Sequence, residues 1–342
     1  MIRFECDYAT GAHPKVLEKL VSTNLEECPG YGVDDHCTRA RTMLKELCQA
    51  PKADVHFLVG GTQANTTVIA AILRSYQGVV CAQSGHINVH ETGAIEATGH
   101  KVLPLPSADG KITAQQIGDY CRAHYADPTA EHMVQPGMVY ISHPTELGTV
   151  YTREELAAIH RVCSQFHLPL FVDGARLVYG LAASDITLPD LAQLTDVFYL
   201  GGTKAGTLFG EAVVITNPAL KQDFRYHIKQ RGGMFAKGRL LGVQFEALLE
   251  SGLYLEIGQR AVAQAQRLQK AFLDKGWSLL IQSPTNQQFP IVPDEMLEIL
   301  NRDYCSSYWE KTDDAHTAVR FCTAWSTKDE DIDALIAAIS TL

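Results

Sequence analysis

The sequence has no Cys-x-x-Cys pair; its nine cysteines are scattered through 342 residues. Unpaired, unclustered thiols in a chain this long fit a reduced, cytoplasmic protein with mostly buried cysteines, not a disulfide scaffold. A basic stripe is also missing. There are 29 Lys and Arg against 39 Asp and Glu, a formal charge of −10, so nucleic acid is not an expected partner. No uninterrupted apolar run approaches the ~18 residues of a membrane helix, so no membrane is expected. The opening "MIRFECDYATGAH" lacks a basic stretch followed by an apolar one, so no secretion signal is expected. Neither a fixed-period repeat nor a low-complexity tract is present. With 46% hydrophobic residues, the chain can bury a large core in one large or two unequal domains.

Short apolar runs alternate with amphipathic stretches. Strands are expected at 53–61, 78–83, 138–143, 169–176, 196–202 and 211–216, and helices at 62–76, 86–99 and 152–167. The runs are continuous, as when both sheet faces are covered. That alternation predicts an α/β fold with a mostly parallel sheet and its functional groups at the strands' carboxyl ends. From 240 to 276 the pattern reads as long helix, then come shorter runs and a final helix, "DEDIDALIAAISTL". A large domain over 1–239 and a smaller α+β domain over 240–342 are expected, with the N-terminal segment packing on the smaller one.

Four sites carry chemistry-bearing residues. "DVFYLGGTKAGTLFG" ends an apolar strand in a glycine-rich turn with a single cation, Lys204. Desolvation there favours the neutral amine, which can form a Schiff base with a carbonyl. "LVGGTQAN" places Gly60, Gly61 and Thr62 between a strand and a helix N-terminus, suited to a phosphate. It is neither a Walker A loop nor a G-x-G-x-x-G fingerprint. "LFVDGAR" ends a strand on Asp173 with Arg176 close behind. The carboxylate either pairs with that arginine or holds a protonated heterocyclic nitrogen. In "SGHINVHE", His86 and His90 lie four apart, but Ile87 stands where a zincin helix needs glutamate, so no metal is expected. His86 is then a structural ring or one stacked on a flat aromatic cofactor.

A phosphate cradle, a carboxylate for a ring nitrogen, a histidine for a ring face and a later lysine meet the needs of pyridoxal 5′-phosphate (PLP). The stretches "GGTQAN", "HINVHETGAIEATGHKV", "VDGARL" and "GGTKAG", with "PGYGVDDHC" and "AVRFCTAW", resemble the threonine aldolase family of PLP enzymes. These have the aspartate-aminotransferase-like fold (fold type I), and the resemblance reaches the group of low-specificity L-threonine aldolases and β-eliminating lyases. It implies that Lys204 joins the cofactor covalently and Asp173 pairs with its pyridine nitrogen. Gly60, Gly61, Thr62 and Thr203 would bind phosphate, and His86 would stack on the ring. Arg176 would lie near the ring nitrogen and the substrate carboxylate, and Arg320 in "VRFCT" would clamp that carboxylate. Tyr31 would reach into a neighbouring subunit's site in a homodimer or homotetramer.

Three positions depart from the family pattern. Cys6, Ala9 and Thr10 occupy the segment where a serine is common. Glu146, with His143 nearby, aligns with a family histidine that handles the substrate hydroxyl. Phe235 replaces an arginine, leaving Arg231 or Lys237 as substitutes. The expected reaction is retro-aldol cleavage of L-threonine, L-allo-threonine and related β-hydroxy-α-amino acids to glycine and an aldehyde. Its base is His86, Glu146 or a water they position. A PLP-dependent β-eliminating lyase and a catalytically silent member of the fold are the alternatives. A nicotinamide dehydrogenase is disfavoured, because the dinucleotide fingerprint is missing.

Overall fold

Apolar strands buried on both faces set the centre of the molecule. The computed structural model describes residues 1–342. The chain opens with a two-residue strand, β1 (Ile2–Arg3). The central sheet then uses β2 (Asp54–Leu58), β3 (Gln77–Ala82), β4 (Lys101–Leu105) and β5 (Gln135–Ser142). It is completed by β6 (Leu170–Asp173), β7 (Val197–Gly201) and β8 (Glu211–Ile215). Their order across the sheet is β2-β8-β7-β6-β5-β3-β4. All neighbours are parallel except at β8, which runs antiparallel to both β2 and β7. One consequence matters for the site: the first residue of β8, Glu211, lies at the edge where the other strands end.

Every residue of β6, β7 and β8 is buried, as the unbroken apolar runs predicted. β4 carries Pro104 and forms the sheet edge, the position where a strand tolerates proline. Helices cover both faces. Those at Ala114–Ala126, Arg153–Gln165 and Leu188–Leu194 each begin with a reciprocal capping box, led by Thr113, Thr152 and Thr187. A second sheet comprises β9 (Gln287–Gln288), β10 (Ile291–Pro293), β12 (Ser307–Lys311) and β13 (His316–Cys322). The short β11 (Tyr304–Cys305) pairs in parallel with β1. Phe4 there joins a core with Phe272, Trp277, Phe321 and Ile332.

Three expected elements differ. The helix expected over 86–99 is only His86–Val89, followed by a 3-10 turn at Glu96–Thr98. Thr92, Gly93 and Gly99 have positive φ, which interrupts any longer helix. The run 240–276 is two helices, Arg239–Leu249 and Leu253–Asp274, broken where Ser251 and Gly252 turn left-handed. The strand expected over 169–176 stops at Asp173, so Arg176 belongs to the turn into the helix Leu177–Ala183.

Candidate active site

The carboxyl ends of β2, β5, β6 and β7 surround a cavity of about 320 Å³. Lys204, Asp173, His86, Glu146, Gly60, Gly61, Thr62, Thr203 and Arg176 all line it. Sequence-distant groups meet there because each follows a parallel strand.

Lys204 stands three residues beyond β7, its Nζ 5.9 Å from the centre of the Tyr8 ring. The Tyr179 hydroxyl donates to the Lys204 carbonyl at 2.6 Å and pins the turn. Burial, helped by the Arg176 charge, lowers the pKa of the ammonium group; Asp7, Asp173 and Glu211 oppose the shift. The net direction favours a free amine.

Asp173 ends β6 and is buried. Its carboxylate accepts from the Tyr140 hydroxyl (2.6 Å), the Asn65 amide (3.0 Å), the Ala175 N–H (2.9 Å) and the Tyr199 hydroxyl. Burial alone would raise its pKa. The charge of His86 and the tyrosine donors outweigh burial and hold it below the ordinary carboxylate range. Asp173 is therefore a fixed anion.

The Asn65 amide also donates to Glu91 at 2.7 Å, and Glu91 meets His86 Nδ1 at 2.8 Å. Burial works to lower the His86 pKa, but the Glu91 hydrogen bond and the Asp173 charge raise it overall. The His86 ring is thus oriented from behind. The backbone N–H of His86, not its ring, donates to Glu146 Oε1 at 3.0 Å, and Ser142 Oγ donates to the same oxygen at 2.6 Å. Burial raises the Glu146 pKa, against the Ser142 bond. His143 lies outside the cavity, with burial taking its pKa down to about 4.

The helix Gly61–Ile72 starts at this cavity with Gly60 as its N-cap and no side chain capping it. Its first N–H groups are unpaired within the helix and aim a positive dipole end at the cavity rim. Thr203 Oγ1 faces Glu211 Oε1 at 2.9 Å. Arg176 spends Nε (2.7 Å) and Nη2 (3.0 Å) on the buried carboxylate of Asp7. Arg320 lies in an adjoining cavity of about 510 Å³, which shares Tyr8, His86, Glu146, Arg176 and Lys204 with the first. Its guanidinium lies 5.8 Å from the Trp309 ring centre, with Nε unpartnered. Tyr31 is not in either cavity. It is half exposed beside Arg225 and Phe235. Arg231, Lys237, Cys6, Ala9 and Thr10 do not line the cavity either; from the N-terminal segment Tyr8 does, and Asp7 reaches it through Arg176.

Sequence reasoning did not find Asp7, Asn65, Glu91, Tyr140, Tyr199 or Glu211. The tyrosines and Glu211 sit in strands whose apolar pattern reads as core. For the tyrosines, a polar tip towards a strand's carboxyl end was the available signal; Glu211 begins its strand, and only the antiparallel course of β8 brings it to the site. Away from the cavity, Glu26, Cys28 and His36 bring ligand-type atoms within 4.8 Å of one another. His36 spends its nitrogens on Glu246 (2.7 Å) and Glu26 (2.8 Å).

A family model described as beta-eliminating lyase matches residues 4–293. A low-specificity L-threonine aldolase of Pseudomonas sp. is 30% identical, over 98% of this chain and 96% of its own. The structure of a Leishmania major threonine aldolase superposes with a TM-score of 0.97 at 42% identity, covering 100% of this chain and 99% of that one. A serine palmitoyltransferase of S. paucimobilis, determined with bound PLP and myriocin, superposes at 0.72. It is 12% identical and covers 99% of this chain and 86% of its own, a likeness of fold alone. The architecture is fold type I, the large mostly parallel sheet with a smaller sheet beside it.

Proposed function

Since the chain belongs to the beta-eliminating lyase family, we propose that it is a PLP-dependent aldehyde-lyase. It cleaves L-threonine, L-allo-threonine and related β-hydroxy-α-amino acids to glycine and an aldehyde. The names of the Pseudomonas and Leishmania relatives support the substrate class. The observation that carries the cofactor assignment is the pairing in one cavity of the desolvated Lys204 amine with the anionic, four-donor Asp173. The uncapped helix start at Gly60–Gly61 adds the electropositive end that a phosphate requires.

The donor set fits PLP. When bound, PLP supplies an aldehyde for an amine to attack and a ring that accepts electrons from the substrate's α-carbon. Lys204 contributes the amine. Asp173 holds a proton on a ring nitrogen by staying negative. Gly60, Gly61, Thr62 and Thr203 receive the phosphate, and His86 covers a ring face. Arg320 grips the substrate carboxylate, and fixing that group selects which bond at the α-carbon breaks. Arg176, tied to Asp7 through two nitrogens, braces the same corner and keeps Nη1 for the carboxylate. Glu146 is the base for the β-hydroxyl, directly or through a water shared with His86. Its raised pKa brings a carboxylate closer to the working range of a general base.

No helix is long and apolar enough to cross a membrane. The partners proposed are a small amino-acid substrate and further copies of this chain, in a homodimer or homotetramer. Tyr31 is exposed and outside its own cavity, which suits a residue serving a neighbour's site.

Incubation with L-threonine, L-allo-threonine and D-threonine tests the reading. Glycine and acetaldehyde in equal amounts from the L-isomers are expected. Pyruvate or another 2-oxo acid with ammonia from an amino acid carrying a β-leaving group, and no glycine, would replace it with β-elimination.

A further inference from the structure

Glu211 is a buried carboxyl group at the cavity to which the reaction above gives no task. Because β8 runs antiparallel, its first residue lies level with Leu58 and Gly201. That places it between the strand leading into the Gly60–Gly61 helix start and the strand leading into Thr203 and Lys204. It is 3% exposed, and its side chain lines the cavity. Oε2 accepts from the Gly202 N–H at 3.2 Å, and Oε1 meets Thr203 Oγ1 at 2.9 Å. Thr203 Oγ1 in turn accepts from the Gly210 N–H at 3.0 Å.

Counting protons makes the pair informative. A hydroxyl has one hydrogen and two lone pairs. If Glu211 is an anion, the only hydrogen available between Oε1 and Oγ1 is that of Thr203. The hydroxyl then points at Glu211 and away from the cavity. If Glu211 carries a proton, it donates to Oγ1. That oxygen accepts twice, from Glu211 and from Gly210, and its own hydrogen is free to turn into the cavity. An anionic Glu211 would also sit beside an incoming phosphate as a like charge in a desolvated pocket, which is costly. The titratable groups around it are Lys204, Asp173, Tyr199 and Tyr254. Burial is the largest influence and takes its pKa to about 8; the Thr203 bond and the Lys204 charge oppose it, and Asp173 reinforces it.

We propose that Glu211 is a phosphate-site residue. As a neutral carboxylic acid it donates to Thr203 and so turns the Thr203 hydroxyl into a donor for the phosphate group of PLP. This rests on the PLP reading above, and it assigns a task to a residue that reading leaves idle.

The test compares PLP with pyridoxal, which lacks the phosphate, in titrations of the apoprotein. Glu211→Gln keeps size and a donor for Thr203, and its expected PLP dissociation constant is within about threefold of the wild type. Glu211→Ala loses the group that fixes the Thr203 hydroxyl, whose hydrogen can then turn back to the Gly210 carbonyl 3.5 Å away, and is expected to weaken PLP about tenfold, the size of the hydrogen bond to the phosphate given up. Neither variant is expected to change pyridoxal binding. The infrared difference spectrum of wild-type holoprotein minus Glu211→Gln should show the carbonyl stretch of a protonated carboxyl. Absence of that band overturns the proposal, whether or not Glu211→Ala folds. Glu211→Gln falling as far as Glu211→Ala, or equal losses for PLP and pyridoxal, also overturns it. If wild-type protein binds neither compound, the PLP reading itself has failed, which is a different outcome.

Discussion

At the scale of single residues, the cavity is a set of titratable groups whose protonation is biased by burial and by neighbours one layer out. Asp173 shows this best. Its four donors stabilise the anion, so Tyr199→Phe is expected to cost about 1.5–3 kcal/mol in urea unfolding at neutral pH, the value of a hydrogen bond to a charged group. The folded pKa of Asp173 is depressed, so this contribution is present above the unfolded carboxylate value and is lost as pH falls through the folded one. An undiminished difference in acid would contradict that assignment. For His86 the sign reverses. Glu91 raises its pKa, so Glu91→Gln is expected to move the ring's NMR titration to lower pH. A titration that stays in place would remove Glu91 as the orienting group. Lys204 and Asp173 were legible in the sequence because glycine-rich turns after apolar strands expose a lone charge. Glu91 and Asn65 were not, since their role depends on three separate segments meeting at His86.

Among the secondary-structure elements, the apolar strand runs and the helix expected over 152–167 were readable from periodicity. Departures came where a left-handed residue interrupts a helical pattern. Ser251–Gly252 is an example: the hydrophobic spacing continues across it, but the backbone does not. Packing of one element on another was beyond periodicity altogether. Gly242, in the helix Arg239–Leu249, lies where an added Cβ would come within 2.6 Å of the Cys37 backbone in the helix Asp35–Leu47. Gly242→Ala is expected to destabilise the protein by about 1–3 kcal/mol, the usual size of overpacking, in urea unfolding. Gly60→Ala is the control. A Cβ there meets nothing within 4 Å, and its φ of −172° suits any residue, so folding stability should move by less than about 0.5 kcal/mol. Equal losses at both positions would mean that the helix contact is not what Gly242 serves.

For the molecule as a whole, six strands point their carboxyl ends at one edge and β8 brings Glu211 back to it. The site is thus a property of sheet topology, and no single segment contains it. The assembly proposed above can be examined by complementation. Tyr31→Ala and Lys204→Ala proteins, each impaired alone, should regain threonine cleavage when mixed and reassembled, because one mixed site then has both residues. No recovery in mixtures shown to contain hybrid oligomers would place Tyr31 outside the neighbour's site. The central claim, that the Lys204 amine holds the cofactor covalently, has a more direct test. Purified protein is treated with borohydride, and its intact mass and peptide map are recorded. The expected result is one added reduced pyridoxyl phosphate group per chain, located on the peptide containing Lys204 and missing from Lys204→Ala. Attachment at another lysine, or unchanged labelling of Lys204→Ala, would contradict it.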